Sequence, residues 1–177
     1  SNYMQITKQS RLTLIEDSIL SIPFEITTIS ENQFYDNSEP KLQVIQHIFG
    51  PTVKSIRNSG FAFLSNLISI DFPELEEADQ AFYSCPKLEF ISTPKLKKIG
   101  AGCFQYTALR IFKTKATEIE QSAFCGCQQL QIVIAHNVKS LKSGTFRFCK
   151  NMVIADFQSC TSAEKSFEGC DQLQHIR

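Results

Sequence analysis

Several features are scarce or missing in this sequence of 177 residues, which has no tryptophan, 7 glycines, 6 prolines and a net charge of zero. Glycine and proline at this level are too few for a disordered chain. A balanced charge argues against a nucleic-acid partner, because proteins that bind nucleic acids carry a basic face. No run of 18 apolar residues occurs, so no membrane span is predicted. We therefore expect a single folded domain over residues 1–177, with a hydrophobic fraction of 42%.

The motifs of enzymes and metal sites are also missing. No phosphate-binding loop, His-Glu-x-x-His sequence or dinucleotide fingerprint occurs. No Asp, Ser or Cys recurs beside His47, His136 or His175 in the manner of a catalytic triad. Cys125 and Cys127 do not have the spacing of a zinc-binding pair. We therefore expect no enzyme activity, no catalytic residues, no metal and no cofactor.

What the sequence does contain is a phenylalanine that recurs at almost fixed spacing. Successive members are 20–22 residues apart, except for a first gap of 27 residues. This period indicates a solenoid, in which each unit buries its apolar face only against its neighbours. The members of this Phe ladder are Phe34, Phe61, Phe82, Phe104, Phe124, Phe146 and Phe167.

Other positions repeat around the Phe ladder. The residue before each Phe is usually small, and a Leu or Met follows six residues later, or five residues later at Leu109. Apolar residues stand three and five positions after this Leu, on one face of a strand, because strand side chains alternate. In four units a cysteine follows the Phe by three residues, and these ladder cysteines are Cys85, Cys127, Cys149 and Cys170.

The combined pattern, Ala-Phe-x-x-Cys-x-x-Leu followed by x-x-Ile-x-x-Pro, resembles the BspA-like leucine-rich repeat family from about Ile19 onward. The resemblance implies a leucine-rich-repeat solenoid, mainly β or α/β, with seven or eight repeats of 20–23 residues. Its right-handed coil would carry a concave parallel sheet, and short helical turns would hold the Phe ladder. The resemblance also implies protein binding without catalysis.

The repeat places the strands of the concave sheet near 42–46, 67–72, 88–93, 109–114, 130–135 and 152–157. A second row of extended segments is predicted at Val53–Ile56, Leu96–Ile99 and Val138–Leu141. The long first gap indicates an insertion between Tyr35 and Lys41. Residues 1–22 are a candidate N-terminal cap. No C-terminal cap is evident, as in a fragment of a longer array or an end paired with another chain.

The seven cysteines leave two interpretations of their redox state. Ladder cysteines in neighbouring coils would lie about 5 Å apart, close enough for disulfides. The interpretation we favour is a row of reduced thiols, because a reduced Cys is a small buried apolar residue. The resemblance implies a cell-surface or secreted protein. A reduced ladder and the absence of a signal peptide at Ser1–Met4 would instead indicate the cytoplasm.

The candidate binding site lies on the concave sheet, two and four residues after each repeat Leu, where side chains should point outward. The +4 position is mostly polar and reads Gln46, Asp71, Ser92, Lys113, Ile134, Asp156 and Arg177. The +2 position is apolar through four consecutive coils and reads Val44, Ser69, Phe90, Ile111, Ile132, Ile154 and His175.

The apolar row has two interpretations. Its residues could simply stabilise the sheet by cross-strand contacts. A contiguous exposed apolar patch can also mark an interface, with an apolar centre and a charged rim. In that case the partner-binding residues are Phe90, Ile111, Ile132, Ile134, Ile154, Arg110 and Lys113.

Charge is unevenly distributed along the chain. Residues 1–88 contain 6 Lys/Arg and 11 Asp/Glu, whereas residues 89–177 contain 12 and 7. This asymmetry reflects chance solvation of different coils, head-to-tail self-association, or a basic patch for an acidic partner. The patch would comprise Lys95, Lys97, Lys98, Arg110, Lys113 and Lys115.

These observations predict a non-catalytic protein-interaction or adhesion module that binds a protein partner through its concave face. One alternative is an intracellular regulatory subunit that inhibits or targets an enzyme such as a phosphatase. Another is an architectural segment of a longer array. Self-association is compatible with each of them.

Overall fold

A computed structural model describes residues 6–7, 9–36 and 38–177. These residues form a solenoid of short parallel strands with little helix, and the two 3₁₀ helices within them are Ser10–Leu14 and Leu42–Val44. The strands are β1 (Ile15–Glu16), β2 (Ile19–Ser21), β3 (Thr28–Ile29), β4 (His47–Phe49), β5 (Ser55–Ile56), β6 (Ser69–Asp71), β7 (Glu77–Ala78), β8 (Phe90–Ser92), β9 (Lys98–Ile99), β10 (Ile111–Lys113), β11 (Glu118–Ile119), β12 (Ile132–Ile134), β13 (Ile154–Asp156) and β14 (His175–Ile176).

The strands form two rows on the solenoid. We call the first row the front face; it corresponds to the predicted concave sheet and consists of two sheets, β1-β2-β4-β6-β8 and β10-β12-β13-β14. The second row is one continuous sheet with the order β11-β9-β7-β5-β3. All pairs are parallel except β1 with β2, which is antiparallel. Each coil therefore contributes one strand to the front face, and most coils also contribute one strand to the second row.

Five of the six predicted front strands lie where the repeat places them, but the prediction for residues 42–46 is wrong. Leu42–Val44 is a 3₁₀ helix, and the strand of that coil is His47–Phe49. The insertion after the first ladder Phe shifts the repeat position from Leu42 to Ile45. His47 is consequently the register partner of Ser69, and this coil presents His47 and Phe49 on the front face in place of Val44 and Gln46.

The Phe ladder forms the centre of the core. Neighbouring ladder rings stack with centroids 4.9–5.8 Å apart and interplanar angles of 7–19°. A second set of rings, Phe72, Phe112 and Phe157, packs against the ladder from behind the front strands. Stacked aromatic pairs stabilise the fold beyond the contribution of the apolar area that they bury. Each coil is therefore stabilised mainly by packing against its neighbours.

The turns that carry the ladder are hydrogen-bonded turns rather than the short helical turns expected from the sequence. Residues with positive φ flank the ladder Phe on both sides, and a left-handed residue interrupts a right-handed helix. Two residues before the Phe these are Asn32, Ser59, Gln80, Gly102, Ser122, Gly144 and Lys165, and two residues after it Phe63, Ser84, Tyr106, Gly126, Phe148 and Gly169.

The N-terminal segment is joined to the first coils by a buried arginine. Arg11 is 3% exposed, and its Nη2 atom lies 3.0 Å from Asp36 Oδ2. Its Nη1 atom donates to Gln33 O at 2.9 Å. Residues 1–5 and 8 of the predicted N-terminal cap lie outside the described residues, as does Asn37 of the predicted insertion.

Candidate protein-binding face

The structure brings three of the predicted binding residues together in one row. Ile111, Ile132 and Ile154 are register partners across β10, β12 and β13. Ile111 is 54% exposed, and the other two side chains are half-buried. We call this set the isoleucine row. Its members are neighbours on the outer surface of a sheet whose inner surface packs on the Phe ladder.

A second row runs beside the isoleucine row, two residues further along each strand. Lys113, Ile134 and Asp156 are register partners there. Ile134 is half-buried and widens the apolar surface, whereas Lys113 is exposed. The front face of these coils therefore has an isoleucine centre with a cation on one side and a carboxylate on the other.

Phe90 is separated from the isoleucine row by an interruption of the front face. It is 59% exposed, but its register partner is Ser69 of β6. Strand β8 ends one front sheet and β10 begins the other. The predicted stripe is thus continuous from Ile111 to Ile154, and Phe90 belongs to the neighbouring sheet.

The interruption coincides with the repeat unit that is one residue short, in which Leu109 follows the ladder Phe by five residues. In an ordinary coil, as at Ile132, the N–H donates to the preceding coil, here Arg110 O at 3.3 Å. Among the described residues no such bond leads from Ile111 to the coil before it. Instead, Ala108 N–H donates to Leu88 O at 3.0 Å. Because this unit is one residue shorter, the chain enters β10 without pairing it to β8.

The two predicted rim cations differ in their surroundings. Arg110 Nε lies 3.0 Å from Glu89 Oε1, across the interruption of the front face. Lys113 has no carboxylate within ion-pair distance in the part of the chain that the structure describes. Of the two, Lys113 is the cation whose charge is not compensated within the described residues.

Most of the predicted basic patch is neutralised by carboxylates of neighbouring coils. Lys95 Nζ lies 2.7 Å from Glu74 Oε2, and Lys97 Nζ lies 2.6 Å from Glu76 Oε2. The pairing with Lys97 lowers the pKa of Glu76. Lys98 Nζ lies 4.0 Å from Glu118 Oε2. Lys115, like Lys113, has no carboxylate within 4.0 Å among the described residues.

One acidic side chain borders the isoleucine row. Asp156 lies between two basic side chains, with His136 Nε2 3.0 Å from its Oδ2 atom and Arg177 Nε 3.4 Å from its Oδ1 atom. These are close contacts rather than aligned hydrogen bonds, since neither His136 Nε2 nor Asp156 Oδ1 has a hydrogen-bond partner within the described residues.

Two exposed aromatic features escaped the sequence reasoning. Phe49 is 40% exposed on the front face, where the shifted strand of its coil places it. A second row of rings lies beside the Phe ladder, with centroid separations of 5.2–6.0 Å along the row. In the sequence this row is indicated by an aromatic residue one or two positions after the ladder Phe. This outer row consists of Tyr35, Phe63, Tyr83 and Tyr106.

The ladder cysteines make the same contact in each coil, and all seven cysteines are free. Each ladder thiol donates to the carbonyl of the ladder Phe in the preceding coil, as from Cys127 Sγ to Phe104 O at 3.0 Å. Burial raises the pKa of Cys85 to about 12 and that of Cys127 to about 11. These thiols are buried apolar groups with one weak hydrogen bond.

The geometry limits the chemistry of this face. No group of three or more His, Cys, Asp or Glu side chains that could hold a metal ion occurs among the described residues. No helix within the described ranges is long and apolar enough to cross a bilayer. What the front face offers is a row of exposed and half-buried apolar side chains with charged neighbours.

Parallel strands at a period of 20–22 residues, a stacked Phe ladder and a repeating Leu position define a leucine-rich-repeat solenoid. The family model described as "BspA type leucine rich repeat region" matches residues 13–117 and 98–177 in six copies. The chain belongs to this family. Proteins with this repeat and fold are generally non-enzymatic and bind other proteins.

Solved structures support the same fold. A leucine-rich repeat protein from Bacteroides ovatus superposes with a TM-score of 0.77 at 20% identity, covering 90% of this chain and 45% of that protein. The chain therefore spans less than half the length of that relative. No curated protein matches the chain at a significant level.

Two further structures have lower similarity. A leucine-rich cell surface protein from Faecalibacterium prausnitzii has 15% identity and a TM-score of 0.31, covering 90% of this chain and 78% of that protein. The pneumococcal vaccine antigen PcpA has 15% identity and a TM-score of 0.42, covering 88% and 59%.

Proposed function

We propose that this protein is a non-catalytic interaction or adhesion module that binds a protein partner through the front face of β10, β12 and β13. The observation that carries the proposal is the isoleucine row, because Ile111, Ile132 and Ile154 are adjacent, in register and directed outward. A contiguous exposed apolar surface on a folded domain is characteristic of interfaces. Ile134 extends this surface, and Lys113 supplies the cationic rim.

The competing explanation is that the isoleucines only stabilise the sheet. Cross-strand pairs of β-branched residues contribute roughly 0.2–1 kcal/mol each. Burying an exposed isoleucine against a partner would contribute about 1.5–3 kcal/mol before the costs of association. The two explanations therefore predict different consequences of placing charge in the row, and the difference can be measured.

The test uses the double variant Ile111→Lys/Ile132→Lys and a peptide-display library selected on the wild-type chain. The matched control is Thr117→Lys/Ser140→Lys, which adds the same charge at two exposed positions away from the front face: Thr117 precedes β11, and Ser140 forms an isolated bridge with Ser162. We expect both variants to stay folded, with circular dichroism unchanged. Selected peptides should bind the control as they bind the wild type, and should lose binding to the isoleucine-row variant.

Peptides that bind the isoleucine-row variant as tightly as the wild type would place the binding surface elsewhere. Unfolding of that variant alone would favour the stabilising role of the row. In that event the milder variant Ile111→Ser, at the most exposed position of the row, repeats the binding measurement on a folded chain.

A further inference from the structure

A cavity of about 490 Å³ opens beside the isoleucine row, at the end of strands β10 and β12. It lies next to the interruption of the front face, between residues that follow β8 and residues of the two next coils. No carboxylate lines it among the residues that the structure describes. Its polar and apolar lining includes Thr93, Lys113, Thr114, Lys115, Ile134 and His136.

The two lysines of this cavity are the members of the basic patch whose charge is not compensated. Lys95, Lys97, Lys98 and Arg110 each have a carboxylate of a neighbouring coil within 4.0 Å. Lys113 and Lys115 have none among the described residues, and both line the cavity. His136 contributes less, because Asp156 lies against it. The cavity therefore has an unbalanced positive charge.

The cavity also contains hydrogen-bond donors without acceptors. In the next coil, Thr114 N–H donates to Ile134 O at 3.0 Å. The equivalent bond, from Thr93 N–H to Lys113 O, is absent, and Thr93 N–H has no acceptor within the described part of the chain. The same bond is made in the preceding coil, from Phe72 N–H to Ser92 O at 2.9 Å. Thr93 lines the cavity, and its N–H is therefore a donor left without a protein acceptor at the cavity.

Thr114 adds a third kind of donor. Its hydroxyl oxygen accepts from Ala116 N–H at 3.0 Å, which leaves the hydroxyl hydrogen free to donate. A backbone N–H, a hydroxyl and two ammonium groups around one cavity match the acceptor-only chemistry of an ionised carboxylate.

We propose that this cavity binds a carboxylate side chain of the protein partner, so that the partner presents an acidic residue beside an apolar one. The inference rests on the proposed function of the isoleucine row. Ile111 and Lys113 share the front face of β10, about 7 Å apart, the distance between side chains two residues apart in an extended segment. The partner would therefore bind through an extended segment that carries Asp or Glu two positions from an aliphatic or aromatic residue.

The carboxylate site can be tested without the partner, by NMR titration of the ¹⁵N-labelled chain with N-acetyl-glutamate α-amide. We expect saturable shifts of the Thr93, Lys113 and Thr114 N–H signals. N-acetyl-glutamine α-amide, which has the same shape without charge, should cause none. Equal shifts with both compounds, or no shift at these residues, would overturn the proposal. Tighter binding of inorganic phosphate than of the glutamate compound would also overturn it.

The variant Lys113→Gln/Lys115→Gln removes the charge of the cavity and leaves long polar side chains in place. It should weaken glutamate binding roughly tenfold or more, because hydrogen bonds to charged groups are the strong ones. The control Lys139→Gln/Lys142→Gln removes two exposed lysines that do not line this cavity and should leave binding unchanged. Equal weakening in both variants would indicate a general charge effect and contradict a built site.

The display-selected peptides separate this inference from the proposed function. Peptides that need the isoleucine row and lose affinity in Lys113→Gln/Lys115→Gln support both. Peptides that need the row but bind the lysine variant normally leave the proposed function standing and overturn the carboxylate site. A glutamate-specific NMR response without any row-dependent peptide supports the cavity and overturns the proposed function.

Discussion

Glu89 Oε1 of one coil lies 3.0 Å from Arg110 Nε of the next. At this point the front strands of the two coils, β8 and β10, are not paired with each other. The side-chain pair thus adds to the one front-face backbone bond between these coils among the described residues, from Ala108 N–H to Leu88 O. The pair is largely solvent-exposed, so its contribution to stability is small. Its main consequence is electrostatic, because it removes one cation from the rim of the isoleucine row.

Replacing Glu89 by Gln frees the charge of Arg110. We expect the free energy of unfolding to change by less than about 1 kcal/mol, since exposed ion pairs contribute little. Affinity for an acidic row-dependent peptide should rise at low ionic strength and return to the wild-type value at high salt. Isothermal titration at two salt concentrations measures this. Glu74→Gln, which frees Lys95 away from the row, is the control and should have no such effect.

Phe104→Ala should be among the most destabilising substitutions. The ring is fully buried and stacks between Phe82 at 5.6 Å and Phe124 at 5.4 Å. Its loss leaves a cavity and should cost about 3–5 kcal/mol in urea-induced unfolding. Phe167→Ala, at a half-buried ring with one stacking neighbour, should cost about 1–2 kcal/mol. Equal costs at the two positions would contradict the nearest-neighbour description of the coils.

Lys165→Gly should stabilise the chain. Lys165 has φ of 54°, at the position where Gly102 and Gly144 stand in two other coils. A left-handed conformation costs an L-residue about 1–2 kcal/mol, of which part is offset by the greater freedom of glycine when unfolded. A net gain of about 0.5–1 kcal/mol is therefore expected. Lys142→Gly is the control: Lys142 has no positive φ, so the same change should destabilise by a similar amount.

Maleimide labelling near neutral pH should divide the cysteines into two groups. Cys160 and Cys170 are partly exposed, and the neighbouring side chain of Cys149 lowers the pKa of Cys170. We expect these two to react in the native state and all seven to react in guanidinium. Mass spectrometry of the labelled chain measures both numbers. Native-state labelling of a ladder thiol such as Cys127 would contradict the buried ladder.

Stability should fall at alkaline pH in a way that depends on the ladder thiols. Burial raises the pKa of Cys127 from 9.0 to about 11. The unfolded chain therefore loses this proton first, so the contribution is complete below pH 9 and is lost as the pH rises to about 11. It should amount to about 2–3 kcal/mol. Cys127→Thr, which introduces the residue found at the equivalent position Thr107, should show a shallower loss of unfolding free energy over this range.

Much of the fold could be predicted from the sequence because the period is carried by large apolar residues that occupy equivalent sites. The Phe ladder, the five later front strands and the repeat family are confirmed. The strand at 42–46 could not be predicted correctly because the insertion interrupts the repeat, so the period does not show at which residue the repeat resumes. It moved the repeat position from Leu42 to Ile45, a residue that also fits a strand.

The candidate site was less predictable. The outward position of Ile111, Ile132 and Ile154 follows from strand alternation, so it could be predicted. The separation of Phe90 could not, because it depends on how a unit shortened by one residue enters β10. Pairings such as Glu89 with Arg110 also escape sequence reasoning, since partners in adjacent coils are 21 residues apart and compete with several other carboxylates. The binding role of the row remains a prediction.

The second strand row continues without a gap past the point where the front face is interrupted, since β9 pairs with β11 in register. Backbone bonds also join these two coils at the ladder turns, as from Ser84 N–H to Gln105 O at 2.9 Å, whereas the front face has one such bond among the described residues, from Ala108 N–H to Leu88 O. Separation of β8 from β10 would break no backbone bond between Thr93 and Lys113. The equivalent separation of β10 from β12 would break the bond from Thr114 N–H to Ile134 O. A partner that contacted both Phe90 and Ile111 would bridge the front face at the place where its strand pairing is interrupted.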